Sequence, residues 1–309
     1  MPDLPRLLGF VAGAALDATL PDPPNSLHPV AAIGPCARFI EGFAPHEPDS
    51  RRRFGWLLAV FAPLLVALLV KRTQSATNPP ARIVTDAGLL ALASSRHTLF
   101  SRVADVADAL ERGQLDEARR MLGYHLVSRD TTSLDASEVA GAAIESLAEN
   151  LSDGVIAPLT YHAIGGAPLA WAYRTSNTLD ALWGYRNERY IDLGRGVARI
   201  DDAWNLLPAR LTAAAICSAA ITEDAGASAV RGWRRDRAVT SSPNAGHPMS
   251  AIAGALGVEL GKRGEYLLGS GGRAPAVGDV RTALRLSRLA ATLATGLLAL
   301  APLFRGRAQ

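Results

Sequence analysis

The stretch FGWLLAVFAPLLVALLV, Phe54–Val70, is the segment that most directly indicates the fold. It has no charged side chain in 17 residues, and basic residues flank it at Arg51–Arg53 and at Lys71–Arg72. A membrane-spanning helix needs about 17 to 25 apolar residues, and basic side chains at its ends can reach the headgroup region. Pro63 is compatible with this reading, since membrane helices tolerate proline. The stretch predicts a spanning or deeply embedded helix, with a buried core helix as the alternative.

Four further apolar segments have lengths close to those of membrane helices: Leu7–Leu20, Gly154–Tyr173, Leu206–Thr222 and Leu289–Phe304. The second contains two prolines and three glycines, so a broken or re-entrant element is expected there. Alternating β-branched residues are absent and alanine is abundant, which predicts almost no sheet. The sequence therefore predicts an all-α, polytopic helical membrane protein with about four or five membrane elements, folded as a single domain over residues 1–309.

Composition narrows the classes of function. Hydrophobic residues make up 49% of the 309 residues and charged residues 20%, against about 25% charged in soluble domains. These values exclude a disordered chain, and two cysteines, Cys36 and Cys217, exclude a disulfide scaffold. Each cysteine is expected to be a buried small hydrophobe. A net charge of +3 is too small to indicate a nucleic-acid partner, so none is expected. No phosphate-loop or dinucleotide motif and no zinc spacing occurs.

Residues 86–128 differ from the apolar segments and predict a water-soluble helical hairpin within the domain. Apolar residues recur at helical spacing before and after Gly113, which interrupts the pattern, and charged residues occupy the opposite face. The hairpin is expected to pack against the rest of the chain as a structural element. Residues 21–50 are expected to form a loop and residues 72–82 a linker.

Three acidic residues, Glu145, Glu149 and Asp153, are four residues apart and share one face if the stretch is helical. Like charges at this spacing repel each other, and the apolar run that starts at Gly154 would increase the cost. Basic partners, a proton or a metal ion must offset the repulsion. Oxygen ligands of this kind suit Mg²⁺. Asn150 lies beside these carboxylates, and a solvated acidic face is the alternative.

Two more polar clusters follow, in TSNTLDALWGYRNERY and in RIDDAWNLLPAR. Asn177 and Asp180 are three residues apart, and Asp201 and Asn205 are one helical turn apart, so each pair can share a helix face. Arginine side chains bind phosphate in a bidentate manner, whereas carboxylates hold a metal ion. The clusters predict a Mg²⁺–nucleotide or Mg²⁺–phosphate site at a membrane face, with salt-bridged helix ends as the alternative.

A short internal similarity relates Asn25–Ile33, NSLHPVAAI, to Asn244–Ile252, NAGHPMSAI, in which five of nine positions match. Each segment places proline after a polar residue, where a helix can begin. Helix N-termini attract anions through free backbone N–H groups and the helix dipole. His28 and Asn244 are therefore hypothesised to mark anion-binding helix starts, with two ordinary proline-started helices as the alternative.

The polar clusters and the apolar run between them resemble the CobD/CbiB family, the adenosylcobinamide-phosphate synthases of cobalamin (vitamin B12) biosynthesis. The resemblance is carried by ESLAENLSDGVIAPLTYHAIGGAPLAWAYRTSNTLDALWGYRNERY (Glu145–Tyr190), RIDDAWNLLPARLTA (Arg199–Ala213), HPVAAIG, SRDT and SPNAGHP, in family order. It implies a multi-pass membrane protein that joins a carboxylate of adenosylcobyric acid to the amine of aminopropanol or its phosphate, with ATP and Mg²⁺. Arg174 in YRTSNTLD departs from the pattern, because a lysine is more usual there and the two cations differ in geometry.

On this resemblance the chain is expected to be a carbon–nitrogen ligase, and the chemistry of the side chains supplies hypotheses for their roles. The catalytic candidates are Glu145, Glu149, Asp153 and Asn150. The substrate- or phosphate-binding candidates are His28, Arg129, Arg174, Asn177, Arg186, Arg210 and Asn244. The metal-binding candidates are Glu149, Asp153, Asp180, Asp201 and Asp202, and Asn205 is expected to orient a ligand.

Two other classes of function stay open at this point. One is a Mg²⁺-dependent membrane transferase acting on a diphosphate, which would release pyrophosphate and need no ATP. The other is a corrinoid transporter or scaffold, in which intramembrane acids line a pathway. The expected partners are the corrinoid, aminopropanol or its phosphate, and membrane lipid, with a homo-oligomer or a pathway enzyme also open. The expected location is the cell membrane, multi-pass, with a cytoplasmic-facing active site.

Overall fold

The computed structural model describes residues 4–301, and helices form almost all of their regular structure. The α-helices are α1 (Leu4–Thr19), α2 (Pro29–Glu41), α3 (Pro48–Ser75), α4 (Pro79–Ala93), α5 (Arg96–Glu111), α6 (Leu115–His125), α7 (Ala136–Asn150), α8 (Ala157–Gly165), α9 (Ala167–Trp183), α10 (Gly194–Ala219), α11 (Gly226–Asp236), α12 (Gly246–Leu256) and α13 (Val277–Ala299). A π-helix, Leu151–Ile156, follows α7, and a 3-10 helix, Ala220–Glu223, follows α10. Strands β1 (Leu260–Lys262) and β2 (Tyr266–Leu268) form an antiparallel hairpin. The predominantly helical prediction is confirmed, and this hairpin is its small exception.

The described residues divide into two compact units. The first comprises residues 4–95, 157–205 and 297–301, and the second comprises residues 96–156 and 206–296. One boundary falls in the link between α4 and α5, and the other three fall in continuous helical runs: at the end of the π-helix, within α10 and within α13. The prediction of a single domain over residues 1–309 stays a prediction.

Close helix packing organises the first unit. Helix α1 packs against α4, and a Cβ at Gly9 would lie 2.5 Å from Asp86 Oδ2, while one at Gly13 would lie 2.7 Å from the Ala87 carbonyl oxygen. Glycines four residues apart thus allow two helix backbones to approach closely. Helix α9 packs against α3 and α2, around a core that includes Leu179 and Trp183. The polar residues of α9 are therefore held on a helix that is anchored on its apolar side.

Helix α3 carries the stretch that indicated the fold and presents a long apolar face. Its 28 residues span about 42 Å at 1.5 Å per residue. Only 22% of its most apolar window is buried. Its exposed large side chains are Trp56, Leu57, Val60, Phe61, Leu64, Leu65, Leu68 and Leu69. An apolar face of this extent is expected to contact lipid or another protein rather than water.

Two helical segments in the described range are long and apolar enough to cross a membrane: α3 and the run Gly194–Glu223, which contains the predicted segment Leu206–Thr222. Helix α1, with 16 residues, is short for a span. The predicted broken element at Gly154–Tyr173 is confirmed, because Gly166 (φ 76°) separates α8 from α9, but its residues are largely buried in protein. The predicted segment Leu289–Phe304 falls mostly in α13, with its last three residues outside the described range. Multi-pass insertion stays a prediction.

A buried helix forms the centre of the second unit. Side chains from Val139 to Ala148 of α7 are all buried, and α7 contacts α5, α6, α12 and β1. A capping box starts the helix, because Asp135 accepts a hydrogen bond from the Glu138 N–H and Glu138 accepts one from the Asp135 N–H, each at 2.9 Å. Any polar group on α7 is therefore held rigidly within the protein.

The helical hairpin is present as α5 and α6, joined through Gly113 with φ at 70°. The apolar residues that carry the helical spacing before Gly113 are all buried in α5: Leu99, Val103, Val106, Ala107 and Leu110. Its predicted start at residue 86 was wrong, because that residue lies inside α4. The predicted loop 21–50 was also wrong in part, since His28 accepts a hydrogen bond from the Val30 N–H at 3.2 Å and Pro29 starts α2.

Two further corrections concern the linker and the cysteines. The predicted linker 72–82 is limited to residues 76–78, because the apolar helix α3 continues to Ser75 and Asn78 caps α4. Cys217 is buried as expected, whereas Cys36 is exposed because it lies on the outer face of α2.

Candidate functional site

The first acidic cluster lies in the first unit, where polar residues of α9 and of the first half of α10 meet. Asp201 is buried, and its Oδ2 accepts a hydrogen bond from Asn205 Nδ2 at 2.9 Å. Asn177 of α9, Asp180 and Asp202 also lie close enough to this carboxyl to affect it electrostatically. The two predicted pairs, at spacings of three and four residues, thus form one polar cluster.

Aromatic residues hold the amide of Asn205 in one orientation. The Tyr173 hydroxyl donates to Asn205 Oδ1 at 2.9 Å, so the amide nitrogen is left to face Asp201. The Tyr173 ring stacks on Tyr161 with centroids 5.2 Å apart, and Tyr161 donates its hydroxyl hydrogen to the Trp204 carbonyl. This arrangement fixes Oδ2 of Asp201, whereas its buried Oδ1 has no hydrogen-bond partner within residues 4–301.

The electrostatics of this cluster favour a cation. Burial, with a contribution from Asp202, raises the pKa of the Asp180 carboxyl to about 6. An oxygen of Asp201 that lacks a donor, beside a second carboxyl, is a suitable ligand pair for Mg²⁺, which usually takes one or two protein carboxylates and completes its shell with water and substrate phosphates. No group of three or more His, Cys, Asp or Glu side chains in the described range is arranged to hold a metal ion alone. The residues therefore fit an ion that is shared with a substrate.

Several predicted phosphate-binding residues lie in the same unit. Arg174 and His28 are within electrostatic range of each other, and Arg174 Nη1 lies 3.5 Å from Asn177 Oδ1. Arg186 and Arg199 act electrostatically on Asp202. The predicted helix start at His28 is confirmed, and burial lowers the pKa of its imidazole. Arg174 thus lies beside Asn177, and Arg186 and Arg199 act on Asp202, so arginines of the kind that bind phosphate lie near this cluster.

The second acidic cluster is centred on Glu145 of α7, in the second unit. Its side chain is 7% exposed, and Oε2 lies 3.6 Å from Arg129 Nη2. Tyr266 of β2 hydrogen-bonds to the carboxyl, and Lys262 of β1 and Glu149 lie within electrostatic range. The other oxygen, Oε1, is buried and has no hydrogen-bond partner among the residues that the structure describes.

The surroundings of Glu145 raise the pKa of its carboxyl to near neutral pH. Burial raises the pKa of its carboxyl to about 7, with a further contribution from Glu149, although Arg129 and the hydrogen bond from Tyr266 act in the opposite direction. Burial and the two carboxylates raise the pKa of Tyr266, which therefore stays a hydrogen-bond donor. Tyr266 and Lys262 also line a cavity of about 610 Å³ with Glu138, Glu259 and Arg263. A carboxyl with such a pKa can gain or release a proton at physiological pH.

The other predicted members of the acidic face differ in their positions. Glu149 and Asn150 are exposed, and Asn150 donates back to the Ser146 carbonyl at 2.9 Å. Asp153 lies in the π-helix that follows α7, which ends at Asn150, so a face shared with Glu145 stays a prediction. The wider π turn changes the angular position of each following residue, and such turns often occur at functional sites. Metal binding by Glu149 and Asp153 stays a prediction.

A basic cavity lies at the start of α12. Arg210, Arg237, His247 and hydroxyl-bearing residues of segment 240–242 line a volume of about 530 Å³, and Arg210 Nη1 donates to Asn244 Oδ1 at 3.2 Å. The second predicted helix start is two residues early, since α12 begins at Gly246 and Pro248 lies in its first turn. Burial, Arg210 and Arg237 lower the pKa of His247 to about 4.

His247 has a defined tautomer. The Trp233 indole, which can only donate, hydrogen-bonds to His247 Nδ1 at 2.9 Å. The neutral imidazole therefore carries its hydrogen on Nε2, as a further donor beside the two arginines. The cavity presents donors and positive charge, which suits a phosphate group.

Comparisons with known sequences identify the family. The model of the CobD/CbiB protein family matches residues 10–295. The chain belongs to the CobD/CbiB family. Relatives named cobalamin biosynthesis protein CobD include one from Geobacter metallireducens, 44% identical over 85% of this chain and 84% of the relative. One from Clostridium perfringens is 36% identical over 91% and 90%, and one from Klebsiella pneumoniae is 36% identical over 94% and 96%. No solved structure matches the chain.

Some residues of the two acidic clusters and of the basic cavity were not predicted from the sequence. Tyr266 and Lys262 lie about 120 residues after Glu145 and reach it through a hairpin of three-residue strands, too short for a recognisable alternation. The signal available was the turn KRGE, in which Gly264 has φ at 77°. Tyr173 and Trp233 were also missed, because aromatic residues on apolar helices are usually core residues. A polar residue one turn away, such as Asn177 after Tyr173, would have been the only indication.

Proposed function

We propose that this CobD/CbiB family member is an ATP-dependent adenosylcobinamide-phosphate synthase, joining a carboxyl of adenosylcobyric acid to the amine of aminopropanol or aminopropanol phosphate. The observation that supports the proposal most directly is the buried Glu145 carboxyl, with a pKa of about 7 and an oxygen that lacks a partner in the described range. An alkylammonium loses its proton only near pH 10, so the amine needs a base before it can attack. Glu145 has the protonation behaviour of such a base.

The proposed chemistry has two steps. A free carboxylate is a poor acyl donor to an amine and must first be activated. The corrinoid carboxylate therefore attacks the γ-phosphorus of ATP, which gives an acyl phosphate and ADP. The amine nitrogen then attacks the acyl carbon, the C–N bond forms, the C–O bond to phosphate breaks, and phosphate leaves. The ammonium group passes one proton to Glu145, and the second proton that the nitrogen loses leaves with the phosphate. Arg129 and Tyr266 hold the Glu145 carboxyl in position.

The Asp201 cluster supplies the proposed site for the metal ion. Asp201 and Asp180 would hold Mg²⁺, and Asn205, oriented by Tyr173, keeps the Asp201 carboxyl in place. Bound Mg²⁺ would neutralise charge on the phosphates. Arg174 and Arg186, in the same unit as Asp201, provide donors for phosphate oxygens. In the second unit, the cavity with Arg210 and His247 is a further candidate for binding a phosphate group.

The proposed location is the cell membrane. Helix α3 supports it, because its exposed apolar face is flanked by Arg51–Arg53 and by Lys71–Arg72. We propose that the chain crosses the membrane more than once, with α3 and the run from Gly194 as spans and an active site open to cytoplasmic ATP.

The test is a reconstituted assay. Membranes or detergent-purified protein are incubated with adenosylcobyric acid, ATP and Mg²⁺, with aminopropanol phosphate or aminopropanol, and the cobinamide product and ADP are measured. We expect product only with ATP, and a loss of at least about 100-fold in Glu145→Gln. Glu117→Gln on the surface of α6 is the matched control, because it makes the same change at an exposed salt bridge.

Two outcomes would contradict the proposal. The absence of product with folded protein and intact substrates would overturn the synthase activity. Turnover without ATP, accompanied by pyrophosphate release from a diphosphate substrate, would instead indicate a transferase. Unchanged turnover by Glu145→Gln would remove the carboxyl from the reaction while leaving the synthase activity in place.

A further inference from the structure

A second basic cavity, separate from the acidic clusters, lies in the first unit at the C-terminal end of α3. Its volume is about 500 Å³. Its lining includes Arg6 of α1, Lys71 and Gln74 of α3, Arg82 and Asp86 of α4, and Gly166 before α9. Three of these side chains are cations and one is an acid, so the lining has a net positive charge.

The acid in this cavity is already engaged. Asp86 Oδ1 accepts from Gln74 Nε2 at 2.6 Å, and Oδ2 lies 3.0 Å from Nε2 of the buried His162. Arg6 is held in place, since its Nη2 donates to the His162 carbonyl at 3.0 Å. Lys71 and Arg82 are exposed and form no ion pair within residues 4–301. Two cations of this cavity thus remain available for an anion from outside the protein.

The apolar face of α3 runs directly to this cavity. Leu57, Phe61, Leu64 and Leu68 are all exposed, and together with Lys71 they follow spacings of four, three, four and three residues. Residues at these spacings form one stripe along a helix. The stripe from Leu57 to Lys71 is about 21 Å long at 1.5 Å per residue, comparable to one leaflet of a bilayer including part of its headgroups.

From this juxtaposition we infer that the cavity binds the phosphate headgroup of an anionic phospholipid whose acyl chains lie along the α3 stripe. The cations of Arg6, Lys71 and Arg82 match the headgroup charge, and the exposed leucines match the chains. Basic pockets beside membrane helices bind anionic headgroups in this way. A soluble phosphate would use only the cations and leave the apolar stripe uncovered. The inference rests on the membrane placement of α3 proposed above.

The experiment is a lipid titration of the full-length protein in detergent, read by native mass spectrometry. Phosphatidylglycerol and phosphatidylcholine of identical acyl chains are added separately, and the apparent dissociation constant of the first bound lipid is compared. We expect wild type to prefer phosphatidylglycerol, and the double variant Lys71→Gln/Arg82→Gln to bind it about 30-fold more weakly, at about fivefold for each basic residue near the headgroup. Both residues are exposed, so the variant is expected to fold normally.

The matched control is Arg53→Gln/Arg72→Gln, which removes the same charge from exposed residues of α3 outside the cavity lining. It should change the binding of phosphatidylglycerol by less than about twofold. Equal weakening in both double variants would overturn the headgroup site in favour of general attraction to anionic lipid. Equal binding of the two lipids by wild type would also overturn it.

Two additional measurements distinguish a lipid site from a soluble-anion site and test the proposed function separately. Inorganic phosphate at millimolar concentration should displace little phosphatidylglycerol, and full displacement would indicate a soluble-anion site instead. Binding of neither lipid would contradict the membrane placement of α3 as well as the inference. Synthase activity, measured on the same variants, tests the proposed function independently, because none of the four substituted residues belongs to the acidic clusters.

Discussion

The two acidic clusters each bury a carboxyl group, but they differ in the residues that surround it. Asp201 and Glu145 each have one fixed carboxyl oxygen and one buried oxygen without a hydrogen-bond partner in the described residues. Around Asp201 the near neighbours are amides and further carboxyls, whereas around Glu145 they are an arginine, a lysine and a phenol. Amides can neither neutralise a charge nor take a proton, so the first cluster suits a bound cation. The Glu145 carboxyl in the second cluster has a pKa near neutral pH, so this cluster suits proton transfer.

The largest expected effect is the loss of turnover in Asp201→Asn, which tests whether the first cluster binds a metal ion. Asp201→Asn keeps the shape and the bond to Asn205 but removes the charge that would hold Mg²⁺. A loss of several kcal/mol of transition-state stabilisation corresponds to a fall in turnover of about 100-fold or more. The measurement is kcat as a function of Mg²⁺ concentration, with Asp116→Asn on the exposed face of α6 as the control. Wild-type turnover at low Mg²⁺ would exclude Asp201 from a metal site.

The second prediction concerns stability at the Glu145 cluster. The carboxyl pKa is about 7 in the folded chain and near 4.5 without the fold. Between these values the folded state binds more protons than the unfolded state, so the free energy of unfolding falls as pH rises through this window. Glu145→Gln removes this titration. Relative to wild type, the variant should gain on the order of 3 kcal/mol above pH 7, and the gain should shrink towards pH 4.5.

Thermal unfolding midpoints from pH 4.5 to 8 provide the measurement. A more stable yet inactive Glu145→Gln would mean that the chain keeps a costly carboxyl for its chemistry. A variant that is equally destabilised at every pH would contradict the raised pKa, because that result would indicate lost packing or hydrogen bonding only. Glu117→Gln again supplies the control, since its side chain lies in a surface ion pair.

Much of the fold follows from local sequence patterns. The exposed face of α3, the buried face of α5 and the break before α9 were predictable because each depends on hydrophobic period, length or a glycine within one segment. The pairs Asn177–Asp180 and Asp201–Asn205 were predictable for the same reason, since helical spacing alone puts each pair on one face. Their meeting in one cluster was supported only by the types of residue.

The rest depended on contacts between distant segments or on a change of helix type. Tyr266 reaches Glu145 by way of a short hairpin, and no pattern near Glu145 indicates it. Asp153 follows the α-helical period in the sequence but lies in a π-helix, a change that local spacing does not reveal. The multi-pass expectation rested on five apolar segments of near-spanning length, whereas the segment after Gly154 is largely buried in protein. Composition alone cannot distinguish these two environments.

The third prediction tests the phenol next to Glu145. Tyr266→Phe removes a hydrogen bond that lowers the pKa of Glu145, so that pKa should rise further. The acidic limb of the pH–activity profile should move to higher pH by about 0.5 to 1 unit, since a hydrogen bond of about 1 kcal/mol is lost. Turnover at pH 7 should fall about two- to fivefold, as the deprotonated fraction of the base falls, and recover at higher pH. Tyr124→Phe, an exposed tyrosine of α6, is the control. An unshifted profile would show that the phenol does not act on the base.

The smallest expected effect comes from Tyr173→Phe in the Asp201 cluster, which again replaces a tyrosine by phenylalanine. Tyr173 touches Asn205 rather than the carboxyl, so Tyr173→Phe would leave Asn205 free to rotate and would loosen Asp201 only indirectly. Because the effect is indirect, a loss of about 0.5 kcal/mol is expected, which raises the Mg²⁺ concentration for half-maximal turnover about twofold. The pH profile should stay where it is, because Tyr173 acts through an amide that does not titrate. A shifted pH profile with unchanged Mg²⁺ dependence would reverse the roles assigned to the two clusters.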